Sequence, residues 1–269
     1  MDSTTLMLKI GFQAGSAIVK NRSPIIDFFS DKAKGMMSTD VVVTGTPGVG
    51  KSIFINKVES FLKEKYPVKP GLSNDIEINV IRVNDDFFPK KIVVIPGQGG
   101  REQNDAFRNL ITNNKKLLGI VHVVDFGYTK PRSDMSELQY IASGIDSVDK
   151  LRAQFLEKEI EYFKELCFLI KGSGSNVKWL HVVINKIDLF SQSLNDAVNH
   201  YNHSDGFGSL VKDLSNNLGR DFKVDFSFAI SSRDNLKFNN EIIHSIVNEK
   251  MSEEVLLKSF LVDLSSKFN

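Results

Sequence analysis

Cysteine is almost absent from this chain, since Cys167 is the single cysteine among 269 residues. An intramolecular disulfide is therefore excluded, and a reducing, cytoplasmic setting fits the sequence. The formal net charge is only +1, so we expect no bulk electrostatic attraction toward nucleic acid. No apolar run is long enough to span a bilayer. Lys9 also interrupts the apolar start, and we therefore expect neither a transmembrane segment nor a signal peptide.

The chain does contain alternating strand-like and helix-like segments from residue 40 onward. The strand candidates are short apolar runs at Val41–Thr44, Ile76–Val83, Lys91–Ile95, Ile120–Asp125, Trp179–Asn185 and Val224–Ile230. Several of them are continuously apolar, which is typical of strands covered on both faces. The pattern predicts an α/β fold with a mostly parallel six-stranded sheet and helices on both faces.

Helical periodicity is clearest between Leu151 and Ile170, where apolar residues repeat along one face. Another helix, or a broken pair of helices, is predicted from Glu241 to residue 269. Two polar, turn-rich stretches near residues 127–150 and 191–222 are interpreted as insertions, the second with a short helix around Leu210–Leu218. Length and pattern together predict one domain over residues 40–269.

Residues 1–39 precede the first strand candidate and are predicted to form a helical extension. Lys9, Gln13, Ser16 and Lys20 fall on one polar stripe at helical spacing, and apolar residues fill most of the remaining surface. An apolar surface this wide must pack against another surface. In one interpretation the helix packs on the chain's own domain, and in the other it contacts a partner protein or the periphery of a membrane.

The segment GTPGVGKS matches the pattern G-x-x-x-x-G-K-[ST] completely and lies between an apolar run and a helix-like stretch. In such a loop the backbone N–H groups turn inward around phosphate oxygens. Lys51 brings a positive charge to the β- and γ-phosphates, and Ser52 offers its hydroxyl to Mg²⁺. The predicted phosphate-binding residues are Gly45, Thr46, Pro47, Gly48, Val49, Gly50, Lys51, Ser52 and Ile53.

A second motif, Asn185-Lys186-Ile187-Asp188, follows the apolar run WLHVVI. Guanine presents N1–H and N2–H₂ donors on one edge, where a carboxylate accepts both, and adenine lacks that edge. Here the sequence resembles the Ras-like and translation-factor-like P-loop GTPases. Asn185, Lys186 and Asp188 match the guanine-recognition motif of those families residue by residue. The resemblance covers about residues 40–250 and implies GTP and GDP as ligands, together with Mg²⁺.

The same resemblance implies roles for three further places. Gly97 matches the glycine whose N–H meets the γ-phosphate, and Gln98 matches the glutamine that positions the attacking water. Ser231-Ser232-Arg233 resembles the loop whose backbone contacts the guanine carbonyl oxygen. Ser73 lies where the switch hydroxyl that binds Mg²⁺ is expected, although plain turn chemistry explains a serine there equally well.

Two positions depart from the family. Val94 stands where the aspartate linked to Mg²⁺ is expected, which predicts weak Mg²⁺ coupling and slow hydrolysis, and Pro47 occupies a site where bacterial Era-like GTPases often carry proline. Two functional interpretations remain open. One is a GTP-hydrolysing switch that acts through an effector or activator protein, with Lys51 and Gln98 as catalytic residues. The other is a non-catalytic guanine-nucleotide-binding module; NKID disfavours an ATPase or nucleotide kinase.

Several polar residues are interpreted as structural. His122 and His181 lie within apolar strand candidates and are predicted to be core histidines. His200 and His203 have metal-ligand spacing, but the surrounding stretch is polar and predicts a solvated loop. Asp125 ends a strand and resembles the aspartate found there in Arf-like GTPases, where we expect a structural role. No motif indicates an oligomeric state.

Overall fold

Six strands form one sheet in a computed structural model, which describes residues 40–62, 77–79, 91–94, 108, 111–112, 114–172, 176–203, 205–247 and 252–268. The strands are β1 (Asp40–Thr44), β2 (Glu77–Asn79), β3 (Lys91–Val94), β4 (Leu117–Val124), β5 (Trp179–Ile184) and β6 (Lys223–Phe228). Their spatial order is β2-β3-β1-β4-β5-β6. Only β2 and β3 pair antiparallel, and every other neighbouring pair is parallel. The predicted α/β class is confirmed.

Helices cover both faces of the sheet, and their bounds are α1 (Lys51–Leu62), α2 (Asp134–Ala142), α3 (Val148–Gly172), α4 (Leu194–His203), α5 (Phe207–Leu218) and α6 (Glu253–Ser265). On one face α1 and α6 meet, with Phe54 and Phe260 edge-on at 4.9 Å between ring centroids. On the other face α3 and α5 meet, with Phe163 stacked on Phe207 at 4.0 Å. Every side chain of β5 is buried, because both of its faces are covered.

The stretch 191–222 holds two helices, so the interpretation of His200 and His203 as part of a solvated loop is wrong. Both histidines belong to α4, where His203 is exposed and His200 is half-buried. Four residues at helical spacing, Leu194, Ala197, Val198 and Tyr201, bury one face of that helix. In the sequence, Asn, His and Asp are more numerous in this stretch than the apolar residues and favour a loop. The helix was therefore not predicted. The predicted helix around Leu210–Leu218 extends back to Phe207.

The segment from Glu241 begins with a hairpin, so the helix predicted to start there is also placed wrongly. Strands β7 (Leu236–Phe238) and β8 (Glu241–Ile243) pair antiparallel, and α6 begins only at Glu253. The two residues between the strands, Asn239 and Asn240, have φ of 44° and 66°. Positive φ at both central positions is the backbone of the tight hairpin turn that asparagine tolerates.

The two strand histidines are buried, as expected for core positions. Nδ1 of His122 lies 2.8 Å from the Thr44 hydroxyl, and Nε2 of His181 is hydrogen-bonded to the Ser227 hydroxyl. Burial lowers the pKa of each imidazole from 6.5 to about 3. Both rings are therefore neutral at physiological pH.

Among the described residues, none of the helices combines the length and the apolar character that a bilayer crossing requires. The predicted helical extension over residues 1–39 lies outside the described residues.

Candidate nucleotide-binding site

The candidate site lies at the carboxyl ends of the parallel strands. Because β1 is flanked by β3 on one side and β4 on the other, the chain leaves β1 at a point where the strand order reverses. Ligands of open α/β sheets bind at such switch points. The loops that follow β1, β4, β5 and β6 carry GTPGVGKS, Asp125, NKID and Ser231-Ser232-Arg233, respectively.

The loop Gly45–Ser52 joins β1 to α1, and its glycines have the backbone that the motif needs. Gly45 has φ of 138°, and a Cβ there would lie 2.2 Å from the carbonyl oxygen of Val123. Gly50 has φ of 90°, and a Cβ there would lie 2.5 Å from the Ser231 hydroxyl. Residues with side chains are excluded at both positions. Since α1 begins at Lys51, the N-terminus of this helix faces the loop.

The Lys51 ammonium is held over this loop. Its Nζ donates to the carbonyl oxygens of Gly45 at 2.7 Å and Thr46 at 2.8 Å, and the side chain is buried. The charge is thus fixed beside the inward-turned backbone, where a triphosphate would be electrostatically favoured. Ser52 is half-buried in the first turn of α1.

Asn185 connects three parts of the site. Its side-chain Nδ2 donates to the carbonyl oxygen of Val49 at 2.7 Å and to the Ser231 hydroxyl at 2.6 Å. Its Oδ1 accepts the backbone N–H of Ser231 at 3.0 Å. The phosphate-binding loop, NKID and the segment after β6 are therefore joined through one fully buried amide.

Lys186 makes the second connection, from a left-handed backbone with φ of 57°. Its Nζ donates to the Asp125 carboxylate at 2.6 Å, to the carbonyl oxygen of Gly48 at 2.8 Å and to that of Tyr128 at 3.1 Å. The Thr129 hydroxyl donates to the same Asp125 oxygen at 2.7 Å. Asp125 is thus structural, as expected, but its partner is the lysine of the guanine-recognition motif, which sequence reasoning missed.

Asp188 differs from Asn185 and Lys186, whose side-chain polar atoms have partners. It lies on a 3₁₀ turn, Ile187–Leu189, with only 1% of its surface exposed. Neither of its carboxylate oxygens has a hydrogen-bond partner among the described residues. Oδ1 of Asp125 is likewise unpartnered among the described residues. Burial raises the pKa of Asp188, while the nearby Ser245 hydroxyl opposes that rise. Two unfilled acceptors on one buried carboxylate match the paired N–H donors of guanine.

The comparison with known protein families decides the assignment. Residues 40–164 match the family model described as 50S ribosome-binding GTPase. This match places residues 40–164 in the P-loop GTPase superfamily. The matched region contains the phosphate-binding loop and ends before NKID.

Two solved structures are similar to this chain at low identity. One is a probable GTP-binding protein engB, at 15% identity over 72% of this chain and 89% of that chain, with a TM-score of 0.38. The other is a dimerization-deficient mutant of Toc33 from Arabidopsis thaliana, at 15% identity over 97% and 96%, with a TM-score of 0.47. Both scores are below 0.5, and the family match alone carries the assignment. No curated protein matches the chain significantly.

The segment Ser231-Ser232-Arg233 after β6 is split between two environments. Ser231 is buried against Asn185 and Gly50. Arg233 is 60% exposed, and its Nε lies 3.9 Å from the Glu253 carboxylate at the start of α6. The structure therefore brings the first serine to the site and directs the arginine side chain toward a helix on the sheet face.

The predicted catalytic and metal-binding positions are only partly described. Val94 ends β3 and pairs in register with Val43 of β1, while Ser73, Gly97 and Gln98 lie outside the described residues. Within the described parts of the chain, no group of three His, Cys, Asp or Glu side chains is arranged to hold a metal ion. Ser52 is thus the one predicted Mg²⁺ ligand that the described residues place at the phosphate-binding loop.

Proposed function

We propose that this chain is a guanine-nucleotide switch that hydrolyses GTP slowly to GDP and phosphate and acts through a partner protein. The observation that supports guanine as the base is Asp188, whose two buried carboxylate oxygens have no hydrogen-bond partner among the described residues. The neighbouring side chains of Asn185 and Lys186 are hydrogen-bonded. An unpaired buried carboxylate is costly. Two N–H donors from guanine relieve that cost, and adenine offers no matching pair.

The phosphate end of the proposed site uses charge and backbone dipoles. Lys51 lies against the loop carbonyl oxygens, from which its ammonium can reach the β- and γ-phosphates. The N–H groups at the start of α1 add a favourable dipole. Asn185 and Lys186 hold the loop in place through Val49 and Gly48, which reduces the ordering required on binding.

Mg²⁺ fits this site in part. Ser52 is positioned in the first helical turn, and Ser73 is the second predicted ligand. When bound, Mg²⁺ neutralises charge on the β- and γ-phosphate oxygens. Val94 leaves no carboxylate at the end of β3, and we therefore propose a Mg²⁺ dependence weaker than in GTPases that carry aspartate there.

Slow GTP turnover also follows from valine at position 94 in place of aspartate. We propose that Gln98 positions the attacking water. We expect intrinsic hydrolysis near or below the range of about 10⁻⁴ to 10⁻² s⁻¹ that unassisted switch GTPases show. Such a rate leaves room for acceleration by an activator protein. The cytoplasmic setting that the single cysteine favours remains a prediction.

The deciding experiment is multiple-turnover phosphate release from GTP and from ATP, with nucleotide binding measured by titration on the same preparation. We expect release from GTP only, and none from Lys51→Ala. Lys150→Ala is the matched control, since this lysine is exposed and its ammonium makes local contacts, an ion pair with Asp146 and a hydrogen bond to the carbonyl oxygen of Gly144. Equal turnover of ATP, or GTP turnover that survives Lys51→Ala, would contradict the proposal.

A non-catalytic guanine-nucleotide-binding module is the second candidate, favoured by Val94 in place of the expected aspartate. The same assay separates the two candidates. Tight GTP binding with no phosphate release above the Lys51→Ala background would favour the module. A partner protein that restored release would return the assignment to a switch.

A further inference from the structure

The backbone N–H groups of residues 125 to 127 all donate to one buried pair of side chains, Glu159 and Tyr201, next to the site. Those of Asp125 and Gly127 donate to Oε1 of Glu159, at 3.1 and 3.5 Å. That of Phe126 donates to the hydroxyl of Tyr201 at 2.8 Å. The same hydroxyl donates to Oε2 of Glu159 at 2.7 Å. Glu159 on α3 and Tyr201 on α4 thus fix the backbone of the short segment 125–127 that follows β4.

The held segment has an unfavourable backbone. Phe126 has φ of 54° and Gly127 has φ of 77°, and a left-handed conformation is costly for a bulky residue such as phenylalanine. Such a conformation persists only where surrounding contacts enforce it. Glu159 and Tyr201 supply those contacts from buried positions, with 1% and 0% of their surfaces exposed.

The segment held in this way carries the partners of Lys186. Asp125 gives the carboxylate and Tyr128 gives a carbonyl oxygen to the Lys186 ammonium, and that ammonium also binds Gly48 of the phosphate-binding loop. A continuous series of contacts therefore runs from Tyr201 and Glu159, through the segment after β4, to the two motifs of the nucleotide site.

One ion pair lies within this series. Burial and the neighbouring Asp125 carboxylate raise the pKa of Glu159 well above its usual value, while hydrogen bonds from the Tyr201 hydroxyl and the Asp125 N–H oppose that rise. The Lys186 ammonium is paired with the Asp125 carboxylate at 2.6 Å. A buried ion pair of this kind is stable only while its geometry is maintained.

We propose that Tyr201 and Glu159 are positioning residues for guanine nucleotide, and that α4 supports the nucleotide site through Tyr201. The proposal rests on the proposed function, since it concerns retention of GDP and GTP. The hydrogen bonds of the Tyr201 hydroxyl go to Phe126 and Glu159, neither of which belongs to the two motifs. Tyr201 acts by holding Asp125 where Lys186 needs it, and loss of its hydroxyl leaves the Phe126 N–H buried without an acceptor.

The test measures dissociation of a fluorescent GDP analogue from the full-length chain. We expect Tyr201→Phe to accelerate dissociation about tenfold or more, because one hydroxyl and two hydrogen bonds are lost with little change of shape. Tyr140→Phe is the matched control, since its hydroxyl bonds only Lys158 away from the site; its dissociation rate should equal that of the wild type.

Loss of global stability must be separated from loss of positioning. Val211→Ala removes buried core surface on α5 and serves as the stability-matched variant. It should lower the melting temperature without accelerating dissociation. If Val211→Ala accelerates dissociation as much as Tyr201→Phe at equal loss of stability, the positioning role is overturned.

A double-mutant cycle with Asp125→Asn tests whether Tyr201 acts through this aspartate. In the Asp125→Asn background, we expect Tyr201→Phe to change dissociation by less than about twofold, since the pairing it supports is already weakened. Fully multiplicative effects would overturn the proposal. A wild-type chain that fails to bind GDP would instead refute the proposed function, so the two failures are distinguishable.

Discussion

Replacement of Asp188 by asparagine is expected to move binding and stability in opposite directions. In the nucleotide-free protein the carboxylate is buried with both oxygens unpartnered among the described residues, and its pKa is raised by that burial. Asparagine has nearly the same shape and carries no charge. Asp188→Asn should therefore leave the nucleotide-free protein as stable as the wild type, or more stable by about 1 kcal/mol.

Guanine binding should be weakened by the same substitution. The wild-type carboxylate accepts two charge-assisted hydrogen bonds from guanine, each worth about 1.5–3 kcal/mol. The asparagine oxygen still accepts one, uncharged bond, and its NH₂ group faces a donor. A net loss of about 2–4 kcal/mol is expected, which is roughly 30- to 1,000-fold in affinity. Xanthine presents an acceptor where guanine has its amino group, so the variant should prefer xanthine nucleotides.

Two measurements check this prediction on one preparation. Thermal unfolding without nucleotide should give a melting temperature at or slightly above the wild-type value, by about 2 °C per kcal/mol for a chain of this size. Titration with GTP, XTP and ATP should show the loss for GTP and a gain for XTP. A variant that loses stability and GTP affinity in parallel would show that Asp188 is a structural support. Unchanged GTP affinity would remove guanine recognition from NKID.

Three further predictions concern the phosphate-binding loop, the catalytic water and a buried histidine. Gly50→Ala should weaken GTP binding about tenfold or more, because its Cβ would crowd atoms at 2.5 Å; Gly144→Ala, with a similar φ of 89° and nothing within 4 Å, should lower stability without affecting binding. Gln98→Leu should slow single-turnover GTP hydrolysis without weakening GTP binding, and an unchanged rate would mean that another residue positions the water. The pKa of His122 is about 3 in the folded chain against 6.5, so its contribution to stability is present above pH 6.5 and is lost as the pH falls. The free energy of unfolding, measured with urea, should fall between pH 7 and pH 5 by about 2 kcal/mol less in His122→Gln than in the wild type. Equal decreases in the two proteins would show that His122 is not a neutral buried histidine.

Local patterns were enough to predict the fold class and the two motifs. The phosphate-binding loop depends on glycines and a lysine that are adjacent in sequence, so its backbone requirements are visible without any tertiary contact. The sheet was predictable because continuously apolar runs occur where both faces of a strand are covered. Strand ends were less certain: β6 ends at Phe228, two residues before the predicted end at Ile230.

Two elements were predicted wrongly because local composition was misleading. Helix α4 buries one narrow apolar face, and the rest of its surface consists of polar residues that favour turns. The hairpin after Leu236 depends on positive φ at Asn239 and Asn240, and a pair of asparagines is a weaker turn signal than asparagine followed by glycine.

The tertiary structure alone decided which residues surround the motifs. Asp125 and Lys186 lie at the carboxyl ends of β4 and β5, which are neighbours only because of the strand order. Tyr201 reaches Phe126 from α4, in a stretch of sequence that shows no motif. Contacts of this kind join residues far apart in the chain, and no periodicity or spacing encodes them. The unpartnered state of Asp188 was also invisible in sequence, because whether a buried carboxylate is satisfied depends on every neighbour that the fold brings to it.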